Sequence, residues 1–317
     1  MLAAPPTKAT VVTVTDADDG RRIDNFLTSR LRDVPKSRIY RMLRSGEVRV
    51  NGGRAKPDRK LKTNDQVRIP PLRVGDDAPR SVEVPIPANM LTAVEQSILF
   101  EDDAIIVIDK PAGMAVHGGS GLRWGVIDVM RALRPHAPVL ELVHRLDRET
   151  SGCLVLAKDM RVLRRLHQEI AGDGIDKVYL ALVAGSWPAQ LRDLDMPLKR
   201  TQKGSADRQV EVDPEGQHAH TVVRSVKPIG QASLVEFELL TGRTHQIRVH
   251  AAAAGHPVAG DRKYGDPAFN EEMRAAGLRR MFLHAARITL RPHEHSKPLT
   301  IKAPLPADLK QIMEQLR

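Results

Sequence analysis

The segment His144-Arg145-Leu146-Asp147-Arg148-Glu149-Thr150-Ser151-Gly152 sets one carboxylate between two arginines, directly before an apolar run. A carboxylate with cationic neighbours stays ionised, which suits a nucleophile or an anchoring charge better than a proton donor. Most aspartates are solvated or cap a turn, so the weight given to Asp147 rests on its surroundings. Serine-hydrolase chemistry at Ser151 is disfavoured because the Gly-x-Ser-x-Gly elbow is missing. Three further segments interrupt apolar structure with polar and glycine residues. In residues 109–117, Lys110 stands just past a strand end, where it can contact phosphate, and glycines 118, 119 and 121 follow closely. In Lys177-Val178-Tyr179-Leu180-Ala181, Tyr179 packs in a core by default, or offers a platform for a base if it faces a polar cleft. Residues 241–250 follow a strand and open a helix, a place that favours anions. There Arg243 can pair with Asp147 across the fold. Arg248 and His245 read equally well as structural residues or as RNA contacts.

The elements that must hold these groups follow from hydrophobic periodicity. Strands are expected at 98–100, 104–108, 153–157, 178–183, 235–239 and 281–290, and helices at 124–134, 159–171, 244–254 and 308–317. Many strands with few helices and no glycine-rich βα fingerprint predict an α+β body with a mainly antiparallel sheet. Neither a P-loop nor a dinucleotide signature is present, so nucleotide-driven chemistry has nothing to grip its phosphates. His144, His245, His250, His256 and His284 match no compact ligand spacing, and no metal is expected. The single Cys153 cannot form an intramolecular disulfide and reads as a small hydrophobe in a strand. With neither a signal-like apolar run nor a membrane-span-length one, a cytoplasmic protein is expected.

The formal charge of +10 is concentrated rather than spread. Residues 21–70 hold 15 Lys/Arg against 5 Asp/Glu, and the remainder of the chain balances, so one small segment carries the whole excess. Within it, Ile23, Phe26, Leu27 and Leu31 recur at helical spacing, and Ser37 is a plausible N-cap after a turn at 33–36. A second helix follows, with Arg38, Arg41 and Arg44 spaced three apart. Val48 and Val50 alternate into an Asn51-Gly52 turn, and residues 66–70 form a closing strand. A row of arginines can meet successive phosphates and give affinity with little sequence reading. This segment resembles the S4 RNA-binding domain, with Gly46-Glu47-Val48-Arg49-Val50-Asn51 as its core, which implies RNA as the ligand. The expected organisation is a flexible segment at 1–20, the S4-like module at 21–72, a linker at 73–95 and a catalytic body at 96–317.

Together, the 109–117, 144–152, 177–181 and 241–250 segments resemble the motifs of the RluA family of pseudouridine synthases. A second group of segments resembles family members that act on 23S ribosomal RNA: Arg21-Arg22-Ile23-Asp24-Asn25-Phe26, Val34-Pro35-Lys36-Ser37, residues 117–122 and Arg131-Ala132-Leu133-Arg134-Pro135. The resemblance implies that Asp147 is the essential catalytic group and that Arg243 pairs with it. Tyr179 is implied to stack on the target base and to assist the closing proton transfer, and Arg145 to hold the place or the phosphates of the flipped-out nucleotide. Glu149 stands where the family motif commonly has Asp, which keeps the charge. The implied substrate is 23S rRNA, modified at three uridines, free or in a large-subunit assembly intermediate. The implied enzyme is a monomer with no cofactor, no obligate protein partner and no membrane. Isomerising uridine breaks the N1–C1′ bond, turns the detached uracil and joins C5 to C1′. The atoms balance, and three routes use the carboxylate: attack on C1′, addition to C6, or removal of the C2′ proton. All three need an ionised Asp beside a base drawn out of its stack. The alternatives are a synthase of this family acting on other rRNA or tRNA uridines, and a non-catalytic ribosome-assembly protein.

Overall fold

The computed structural model describes residues 8–31, 34, 36–72, 85–118, 124–172, 174–203 and 207–316. The expected turn at 33–36, most of the glycine run at 118–122 and the linker stretch at 73–84 therefore lie largely or wholly outside the described residues. The chain divides into two compact units, Met1–Ile86 with Asp159–Arg164, and Pro87–Lys158 with Arg165–Arg317.

The first unit contains β1 (Thr10–Thr13), α1 (Ile23–Arg30), α2 (Lys36–Ser45), β2 (Arg49–Val50), β3 (Gly53–Arg54) and β4 (Gln66–Ile69), with sheet order β1-β4-β2-β3. The apolar residues that set the helical period, Ile23, Phe26 and Leu27 on α1 and Ile39 and Met42 on α2, are fully buried in one cluster with Val48, Val50 and Val67. Asn51 and Gly52 both take positive φ, 50° and 79°, as a tight hairpin between twisted strands demands. Residues 10–20 differ from the flexible segment expected for 1–20. Thr10–Thr13 pairs antiparallel with β4 and Val14 is buried in the same core, because a short β-branched run completes that sheet edge. The arginine row is also not uniform. Arg38 donates to both carboxylate oxygens of Glu47 at 3.3 and 2.9 Å, whereas Arg41 and Arg44 are exposed.

The second unit begins with α3 (Ala88–Gln96), β5 (Ile98–Glu101), β6 (Ile105–Lys110), α4 (Val126–Leu133), β7 (Glu141–Leu142), β8 (Ser151–Ala157) and, from Arg165 onward, α5 (Met160–Ala171). It continues through β9 (Asp176–Ala184), β10 (Asp193–Asp195), β11 (Leu198–Lys203), β12 (Asp207–Val212), β13 (His220–Ile229), β14 (Ala232–Leu239) and α6 (Gln246–Ala253). It ends with α7 (Pro267–Ala275), β15 (Leu283–Leu290), β16 (Leu299–Lys302) and α8 (Ala307–Gln315). One sheet runs β10-β13-β14-β9-β15-β8-β6-β5, with β16 on β15 and β7 on β8, and β11 and β12 form a separate hairpin. The fold is α+β and its pairing is antiparallel except between β8 and β15. α3 occupies residues expected to be linker; its Val94 is fully buried.

Every residue of β8 is buried, so the sheet is covered on both faces where the 144–152 segment enters it. Gly152 sits at φ 108°, and a β-carbon there would lie 2.3 Å from the Ala285 carbonyl oxygen. Only glycine fits this close approach of two parallel strands. The loop carrying Asp147 is thereby tied to the sheet centre at its last residue. Cys153, buried in β8 as expected, has its thiol pushed up to about 12 by burial, which makes it unreactive.

Candidate active site

The loop between β7 and β8 is held from its other side by the segment after β6. Gly113 N–H donates to the Arg148 carbonyl at 2.8 Å, and Arg148 Nε returns a bond to the Gly113 carbonyl at 2.9 Å. Lys110, expected as a phosphate contact, is instead fully buried. Its ammonium donates to the carbonyls of Pro111, Met114 and Arg148 at 2.8, 2.8 and 3.1 Å. The strand end turns inward here, so a side chain that reads as exposed becomes a clamp joining two loops. Burial pushes the Lys110 amine down to about 7, opposed by the nearby charges of Glu149 and Asp147. Lys110→Met leaves these carbonyls without their donor and is expected to cost roughly 1–3 kcal/mol in a denaturant titration. A phosphate contact would lower the salt slope of RNA binding by about 1 on removal; for Lys110→Met that slope is expected to stay unchanged.

Asp147 does not meet Arg243. Its Oδ2 accepts from Arg248 Nη1 at 3.1 Å, while Arg243 is exposed and its Nε donates to the His218 carbonyl at 2.9 Å. The backbone at His245 takes the left-handed conformation, φ 57° and ψ 19°, immediately before α6. Arg243 lies ahead of that turn and bonds the His218 carbonyl instead, whereas His245 and Arg248 stand one helical turn apart on the same side. Gln246, almost wholly buried, fixes the turn by accepting from Thr241 Oγ1 and Arg243 N–H at 2.7 and 2.9 Å.

Arg248 is gripped from behind by Asp261, which no sequence motif singles out. Its Nε and Nη2 meet the two Asp261 oxygens at 2.7 and 2.8 Å, a fork-to-fork pair. The Asp261 side chain is wholly buried and also accepts from the N–H groups of Lys263 and Tyr264. Burial works against the Arg248 charge, but Asp261 and then Asp147 more than offset it, so its pKa is raised. Burial likewise works against the Asp261 carboxylate, and the bonds from Arg248 hold it below its ordinary range. A permanently charged guanidinium is thus fixed in one orientation, with a single edge left for Asp147.

Around this pair lies a cavity of about 270 Å³. Its wall includes Arg145, Asp147, Lys177, Tyr179, Arg243, His245, Arg248 and Leu283. The expected Asp147, Tyr179, Arg145 and Arg248 therefore converge, as does Arg243 in a different role, while Lys110 is outside the wall. Lys177 and Tyr179 alternate onto the same face of β9 and both reach the cavity. Burial, and after it the Asp147 charge, raises the pKa of the Tyr179 hydroxyl, keeping it protonated. His144 also lines the wall; its Nε2 accepts from the Val155 N–H at 3.2 Å, and burial pushes the ring down to about 4. Among the described residues two groups have ligand atoms close enough to share an ion, Asp195 with His218 and His220, and Asp102 with Asp103 and His293; none of these residues lines the cavity.

A carboxylate, a fixed counter-charge and a buried tyrosine thus border one hollow. The family profile for RNA pseudouridylate synthase matches residues 104–253, and that for the S4 domain matches residues 21–67. Ribosomal large subunit pseudouridine synthase C of Haemophilus influenzae is 47% identical over 309 residues, 97% of this chain and 95% of the relative. The Escherichia coli protein of the same name is 46% identical over 97% of this chain and 96% of its own. Human RNA Pseudouridylate Synthase Domain Containing 4 superposes with a TM-score of 0.59 at 26% identity, covering 72% of this chain and 95% of that structure. The chain belongs to the RluA family of pseudouridine synthases. It is an RNA-modifying isomerase that carries an S4 domain.

Proposed function

We propose that this enzyme converts uridines of large-subunit 23S ribosomal RNA to pseudouridine, with Asp147 as the catalytic carboxylate. The observation that carries the reading is the Asp147–Arg248 pair set in the cavity wall beside Tyr179. Near-full-length similarity to proteins named as ribosomal large subunit pseudouridine synthase C supports the choice of RNA. The target uridine leaves its stack and enters the cavity, at a cost of a few kcal/mol that is least where the RNA is unpaired. Tyr179 offers its ring to the base, and exposed Arg145, on the same loop as Asp147, holds the vacated place or its phosphates. Asp147 then assists cleavage of the N1–C1′ bond, the uracil turns, and C5 bonds to C1′. The C5 proton is lost and N1 gains one, so neither redox nor group-transfer chemistry is required. Tyr179, protonated and close to Asp147, is suited to relay that last proton.

The S4 unit binds the RNA away from the reacting uridine and offsets part of the extrusion cost. Arg41 and Arg44 carry this role, since Arg38 is already paired with Glu47. Replacing both Arg41 and Arg44 by Ala is expected to lower the salt slope of rRNA binding by about 1.5 to 2. Arg38→Ala is expected to change that slope by less than about half a unit. Among the described residues no helix is long and apolar enough to cross a membrane.

Pseudouridine mapping of 23S rRNA from cells with and without the gene tests the substrate. Loss of modification at a few large-subunit uridines, restored by the wild-type chain, is expected. An unchanged 23S map with altered tRNA positions would move the enzyme to another substrate.

A further inference from the structure

His245 holds a left-handed backbone, which costs a residue with a β-carbon roughly 1–2 kcal/mol. Such strain gathers where a side chain must be aimed. The His245 ring lines the cavity, with Nε2 3.9 Å from Asp147 Oδ2, too far for a hydrogen bond. Its other nitrogen, Nδ1, lies 2.8 Å from the Tyr264 hydroxyl.

The protonation pattern of that ring follows from what stands behind it. The Val210 N–H donates to the Tyr264 oxygen at 3.0 Å. A backbone amide can only donate, so the hydroxyl accepts there and keeps its own hydrogen to give. Among the described residues Nδ1 is the only acceptor bonded to that hydroxyl. Donation from Tyr264 to Nδ1 satisfies both groups and leaves the ring proton on Nε2, facing the cavity. Burial lowers the His245 pKa, against the pull of Asp147, with Arg248 and Lys263 adding to the lowering and Asp261 opposing it. The ring is therefore neutral, with one unspent N–H beside the carboxylate.

We infer that His245 is a catalytic hydrogen-bond donor to the uracil ring, its tautomer set by the Val210–Tyr264 relay. The inference rests on the cavity being the uridine site. When the N1–C1′ bond breaks, its electron pair goes to the uracil, and the charge spreads over N1, O2 and O4. A neutral donor already in place stabilises that charge without first having to reorient. It does so without competing with Arg248 for Asp147. Tyr264 is a positioning residue, and through Val210 on β12 the β11–β12 hairpin becomes part of the device. The same hairpin reaches the turn before α6, where Arg200 donates to Thr244 Oγ1 at 2.5 Å.

The test combines nitrogen-15 NMR of the histidine-labelled full chain with single-turnover tritium release from rRNA labelled at uracil C5. The spectra are expected to show His245 protonated on Nε2, and Tyr264→Phe is expected to admit the Nδ1–H form. His245→Ala is expected to slow turnover about 10²-fold, the scale of one lost oxyanion donor. His245→Gln, which keeps an N–H near the Nε2 position, is expected to recover at least about tenfold of that loss at unchanged RNA affinity. An Nδ1–H ring in the wild type, or His245→Gln as slow as His245→Ala while both bind RNA normally, overturns the inference. So does wild-type turnover in His245→Ala. Activity in Asp147→Asn would instead remove the uridine-site reading, and that variant does not touch the tautomer measurement.

Discussion

Asp147→Asn is expected to abolish pseudouridine formation, lowering single-turnover rates by on the order of 10⁴-fold or more while RNA affinity stays within a factor of about three. The amide keeps the shape of the side chain and can still face Arg248 at the 3.1 Å position. It loses the negative charge needed for attack on carbon or for taking a proton. Stability should change little, because Arg248 retains its two bonds to Asp261. Tritium release from C5-labelled rRNA reads the chemistry, and filter binding of the same RNA reads affinity. Full activity in the purified, folded variant ends the assignment of Asp147 as the catalytic carboxylate.

Arg248→Met is expected to damage both stability and activity severely, and Arg243→Met only mildly. Removing Arg248 strands the wholly buried Asp261 carboxylate as well as exposing Asp147 to an altered field. Breaking a buried pair from one side costs about 3–5 kcal/mol, because an uncompensated charge stays behind. A denaturant titration checks this directly. The double change Arg248→Met with Asp261→Leu should recover much of the stability, since neither charge is then buried, yet remain inactive. Arg243 bonds only a backbone carbonyl from an exposed position, so its loss should cost under about 1 kcal/mol and leave the Asp147 pair standing. The reverse order of effects would reinstate Arg243 as the partner of Asp147.

The contrast between these two arginines marks how far the sequence could be read. Both lie in the 241–250 segment, which the sequence singled out and which lines the cavity. Which one reaches Asp147 depends on the left-handed turn at His245, and non-glycine residues seldom adopt that conformation. Asp261 was invisible for a different reason. A carboxylate in a Gly-Asp-Arg-Lys-Tyr-Gly run has no periodic signature, and its value appears only when the chain returns under α6. Lys110 misled because a cation after a strand normally faces water, whereas here three carbonyls replace the water.

By itself the sequence determined the α+β class, six strands and four helices of the second unit and the basic S4 module, and it singled out Asp147, Tyr179 and Arg145, which line one cavity. The class, the elements and the basic module are properties of local periodicity, turn chemistry and charge placement, each encoded within a few neighbouring residues, whereas the three residues were singled out by resemblance to a family. The tertiary structure decided which cation faces Asp147, what holds that cation still, and that Lys110 is a clamp. It also placed β1 inside the S4 unit and turned Arg38 toward Glu47. Those outcomes are set by pairings between residues far apart in the chain, where the deciding quantities are direction and burial rather than residue type.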